Sequence, residues 1–123
     1  MSLPESPASP VYLDTELALS QIGDAETMNG MLLMLQESLA RDIPLVSELL
    51  AAGDMAGANR VLHALKGFIP IFCDMPLCEQ VVRVEGLSKD SQSTAVAPAY
   101  RALRPELERL QSEVAAYLKA HAV

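Results

Sequence analysis

Apolar positions recur at helical spacing along most of the chain. Over 25–52, Met28, Met31, Leu32, Leu35, Leu39, Ile43, Val46, Leu49 and Leu50 fall on one stripe about 120° wide when residues advance about 100° each. The spacing predicts a long amphipathic helix there. Pro44 falls on the opposite side, where it bends a helix rather than ending it. Gly53 closes the run and Asp54 is placed to cap the next. Over 55–72 a second stripe is formed by Ala58, Val61, Leu62, Leu65, Ile69 and Phe72, with Pro70 interrupting its last turn. Cys73 and Asp74 mark a turn, Asp74 capping a further helix to about residue 89 that turns Leu77, Cys78, Val81 and Val84 inward. After a polar loop around Asp90–Gln92, Val96, Tyr100, Leu103, Leu107, Leu110, Val114 and Leu118 repeat at helical spacing over 94–120. Pro98 sits in the first turn of that helix and Pro105 kinks it. A short helix through Glu16–Leu19, capped by Asp14 or Thr15 and stopped near Gly23, precedes them all. No stretch alternates with period two for the length of a strand. Long amphipathic helices on short connections favour antiparallel neighbours. The predicted fold is all-α, an antiparallel up-and-down four-helix bundle with a short extra N-terminal helix.

Composition narrows the class. The chain has 123 residues, half of them apolar, and aromatics are only 4% with no Trp, so the core is predicted to be aliphatic and to fill one domain. Residues 1–13 begin with the Pro- and Ser-rich stretch LPESPASP, which reads as a disordered tail or linker. Residues 14–123 form the domain, and a leading stretch of this kind often marks a domain cut from a longer protein. A net charge of -7 argues against nucleic acid and anionic membranes as partners, since both need a basic surface. No apolar run reaches the roughly 18 residues of a membrane span, and no secretory leader is visible. The expected location is therefore the cytoplasm. Cys73 and Cys78 are too few for a disulfide framework or a metal site, and read as buried thiols.

Candidate chemistry centres on one of two histidines. His121 lies near the chain end and is expected to be inert. His63 projects about 150° from the centre of its helix's buried stripe, so it faces solvent in mid-helix. Asn59, Gly67 and Pro70 share its face, and Arg60 and Lys66 lie three residues away on either side. A neutral imidazole nitrogen is a nucleophile near neutral pH. Lys66 supplies a mobile cation. Gly67 leaves one turn of the helix without a side chain, at a cost of about 1 kcal/mol relative to Ala, which points to a need for room. On spacing alone, an exposed histidine in a helix is more often a plain surface residue.

His63-Ala64-Leu65-Lys66-Gly67 resembles the H-x-L-K-G signature of histidine-containing phosphotransfer (HPt) domains. The resemblance extends over about 14–119 in helix order, and Val84-Glu85 is similar to the family's later apolar–Glu pair. It implies that His63 is the phospho-acceptor, passing a phosphoryl group between aspartates of response-regulator receiver domains. It further implies that Lys66 balances phosphoryl charge and that Gly67 gives steric access. Asn59, Arg60, Pro70, Arg41 and Glu85 are candidate partner contacts at the same level. The chain would need no cofactor or metal of its own, the Mg²⁺ being supplied by the receiver, and it would act as a phosphocarrier rather than a kinase. A monomer, excised from a hybrid sensor kinase, is the expected form. The segment Phe68-Ile69-Pro70-Ile71-Phe72-Cys73 departs from the family, which usually has small residues there. The competing expectation is a helical interaction module that uses the same surface without phosphorylation.

Overall fold

The first three helices each begin where an aspartate can accept from the backbone one turn ahead. The structure, a computed structural model, describes residues 11–73 and 75–121. Asp14 accepts from Leu17 N at 3.0 Å, Asp24 from Thr27 N at 2.8 Å and Asp54 from Gly57 N at 2.9 Å. These caps open α1 (Thr15–Ile22), α2 (Ala25–Ala51) and α3 (Met55–Phe68). The chain reverses between α2 and α3 at Gly53, whose φ of +77° favours a residue without Cβ. Beyond these come α4 (Met75–Leu87) and α5 (Val96–Ala120). The described residues are thus dominated by five α-helices, and include no named strand.

Two predicted boundaries shift, for local reasons. The helix expected to reach Phe72 stops at Phe68 and tightens into a 3₁₀ turn over Ile69–Ile71. Pro70 has no N–H to continue the α ladder, and Phe72 N bonds instead to Ile69 O, three residues back, at 2.9 Å. At the far end of α4, Ser88 and Lys89 leave the helix through turn bonds, with Lys89 N reaching Gly86 O at 3.3 Å. The expected Asp74 cap lies outside the described residues. Pro44 and Pro105 sit inside α2 and α5 without ending them. The carbonyls they leave without an intrahelical donor belong to Ala40 and Arg101, both exposed, so water can satisfy them.

The buried stripes meet in one aliphatic core. α2 packs on α3 and α5, α4 packs on α3 and α5, and α1 lies against α2 and the 3₁₀ turn. Leu32, Leu35, Leu39, Leu62, Leu65, Leu77, Leu103 and Leu107 are all buried within it. Tyr100 brings the one polar tip among the large core side chains and donates its hydroxyl to Ile43 O at 2.7 Å. Burial pushes the pKa of that hydroxyl well up, against the opposing pull of Arg104. Cys73 and Cys78 are buried, as expected.

Residues 11–13, read in sequence as the end of the tail, belong to the folded body. The N–H groups of Val11, Tyr12 and Leu13 all donate to the Glu113 carboxylate of α5, at 2.7–2.9 Å. The Tyr12 hydroxyl donates to Glu106, and Leu13 is 5% exposed. Residues 1–10 lie outside the described residues. Among the described residues, no helix is long and apolar enough to cross a membrane.

Candidate functional site

The register of α3 decides where His63 goes. With Ala58, Leu62 and Leu65 buried, the opposite face carries His63 outward, and its side chain is 67% exposed. α4 lies alongside and buries Val81 and Val84. This puts Glu85, one residue on, against the flank of α3. Its side chain is only 2% exposed.

A buried carboxylate needs partners, and Glu85 draws most of them from α3. Oε1 faces Lys66 Nζ at 3.1 Å, and Lys89 Nζ stands 3.9 Å from the same oxygen. Oε2 faces Asn59 Nδ2 at 3.2 Å and His63 Nδ1 at 3.4 Å. Asn59 is itself held by the buried Ser88, whose Oγ accepts from Asn59 Nδ2 at 2.8 Å and donates to Glu85 O at 2.6 Å. Burial alone would raise the Glu85 pKa. Hydrogen bonds from Lys66, then Asn59 and His63, outweigh it and hold the carboxyl below its ordinary range.

An ionised carboxylate only accepts hydrogen bonds. The chemistry of Glu85 therefore assigns the imidazole proton to Nδ1 of His63 and leaves the lone pair on Nε2. The arrangement favours an exposed Nε2 lone pair, with a half-buried ammonium, Lys66, one helical turn away (28% side-chain exposure).

Gly67 continues the open face. A Cβ built there would meet nothing within 4 Å, and the same holds at Gly86 on α4. The folded chain itself thus has no need of a glycine at 67. Gly67→Ala is expected to stabilise α3 by about 0.5–1 kcal/mol, the helix-propensity difference, read as a higher denaturation midpoint. If the bare backbone serves an incoming partner, the same variant binds that partner more weakly.

The remaining candidates divide. Arg60 is exposed beside a hollow of about 380 Å³, shared with Asn59, Ser88 and Lys89. Pro70 is exposed at the rim of an apolar groove of about 800 Å³ between α1 and α4, with Leu17, Met75 and Val82. Arg41 is tied to its own helix, its Nε donating to Asp42 Oδ1 at 2.9 Å and an Nη to Ser38 Oγ. Glu85, expected as a partner contact, is buried, with Asn59, His63 and Lys66 of α3 converging on its carboxylate. Ser88 and Lys89 were not singled out in the sequence. Their signal is the i+3 and i+4 spacing from Glu85, which carries meaning only once Glu85 is known to be buried.

The chain matches no protein-family model, no curated protein and no solved structure.

Proposed function

We propose that this chain is a histidine phosphotransfer domain, carrying a phosphoryl group on His63 between receiver-domain aspartates. In this reading α2 to α5 form an antiparallel up-and-down bundle. The short reversal at Gly53 supports that arrangement. So does the order of side-chain contacts between α3 and α4, where Asn59 meets Ser88 and Lys66 meets Glu85. The observation that carries the functional reading is a solvent-facing imidazole whose Nδ1 lies against a buried, ionised carboxylate.

The step balances simply. The Nε2 lone pair attacks the phosphorus of an aspartyl phosphate in line, and the new N–P bond forms as the P–O bond breaks. The aspartate leaves with the electron pair as a carboxylate. The proton stays on Nδ1, so the phosphorylated ring bears positive charge facing Glu85. Lys66 is placed to neutralise charge on the phosphoryl oxygens. Donation to a second receiver is the same step in reverse. The Mg²⁺ that offsets phosphoryl charge during transfer would be held by the receivers.

The test is transfer of ³²P from a phosphorylated receiver domain. The expected label on this chain is acid-labile and base-stable, and absent from His63→Gln. A receiver that binds the wild-type chain without transferring label would overturn the reading in favour of an interaction module.

A further inference from the structure

Resting on the phosphotransfer reading, we propose that Lys89 is a positioning residue. It takes over the Glu85 carboxylate when Lys66 turns to the phosphoryl group on His63.

The two oxygens of Glu85 have separate partners. Oε2 stands with Asn59 and His63, and neither need move for a phosphoryl group to bond at Nε2. Oε1 stands with Lys66 at 3.1 Å and Lys89 at 3.9 Å. Lys66 cannot serve Oε1 and the phosphoryl oxygens fully at once. If it moves outward, Oε1 loses its close partner while 98% buried; the positive ring and Asn59 face Oε2 alone, and a buried oxygen left without a partner is disfavoured. Lys66 is thus free to move only as far as another cation replaces it.

Lys89 is built for that replacement. It lies on the same chain segment as Glu85, four residues on, so their approach needs no movement between helices. It sits just past the last residue of α4, where the chain is held by a long 3.3 Å turn bond, so its backbone can adjust. Its side chain is 63% exposed and too distant from Oε1 for a close hydrogen bond in the unphosphorylated chain. Lys89 therefore stands in reserve: it contributes little at rest and closes on Oε1 when Lys66 departs. Arg60, across the same hollow, is on α3 and has no ion pair with Glu85 among the described residues.

The experiment uses phosphoramidate as a small phosphoryl donor, with phosphohistidine followed by ³¹P NMR. Lys89→Ala is expected to slow phosphorylation of His63 about three- to tenfold, in the lower part of the range of coupling between groups in one network. Lys89→Arg should stay within about twofold of wild type by the same measure. In a Glu85→Gln background there is no carboxylate to neutralise, so Lys89→Ala should have no further effect. A simple surface charge that draws in the anionic donor would slow the reaction equally in both backgrounds, and that result overturns the proposal. So does a Lys89→Ala rate equal to wild type. Failure of the wild-type chain to take label from either phosphoramidate or a phosphorylated receiver overturns the phosphotransfer reading itself, and this inference with it.

Discussion

Glu85→Gln is expected to slow phosphoryl acceptance by His63 about ten- to a hundredfold while the chain stays folded, as orienting partners of reactive histidines do when neutralised. The substitution keeps shape and hydrogen-bonding reach, so the cradle of Asn59 and Ser88 persists. What it loses is the acceptor-only character that assigns the proton to Nδ1. An amide can turn its NH₂ toward Nδ1, and the ring then holds its proton on Nε2, where no lone pair remains to attack. ¹⁵N shifts of the His63 ring would report this tautomer change alongside the rate. Equal rates and unchanged shifts would show that Glu85 does not orient His63.

The same carboxylate has a pH signature. Its folded-state pKa lies below the ordinary value of 4.5. The stability it contributes is therefore present above that value and lost as pH falls through the lower, folded one. Wild type should lose stability from about pH 5 downward, and Glu85→Gln should show a flatter curve over that range in urea titrations at each pH.

Leu65→Ala should cost about 2–5 kcal/mol, read as a fall in the urea midpoint followed by circular dichroism, because it opens a cavity under α3. Leu65 is 1% exposed, within the aliphatic core. His63→Gln, two residues away on the exposed face, should change stability by no more than about 0.5 kcal/mol. The contrast tests the register on which the site depends. Comparable losses at both positions would mean that the ring is bound into the core, and the outward nucleophile would be gone.

Helix existence and phase were legible because they are local. The stripes over α2, α3 and α5 follow from a 3.6-residue period, and the caps expected at Asp14 and Asp54 act within one turn. The outward direction of His63 and the emptiness at Gly67 follow from that same phase. The early end of α3 was half legible. Pro70 announced an interruption, but not that the chain would tighten into a 3₁₀ turn with Phe72 N on Ile69 O.

Long-range pairings were not legible. Leu13 and Glu113 are 100 residues apart, and nothing near residue 13 signals that three backbone N–H groups will share one carboxylate. Glu85 is the sharper case. On the wheel of α4 it borders the buried stripe, yet a carboxylate there reads as surface because burying one alone is so unfavourable. Its partners sit 19 to 26 residues earlier, at Asn59, His63 and Lys66. The amino-acid order alone determined five helices, an aliphatic interior and a histidine facing water. Tertiary packing decided what that histidine faces, because only the approach of α4 to α3 brings the buried Glu85 carboxylate to Nδ1, together with the Lys66 and Asn59 hydrogen bonds that keep it ionised.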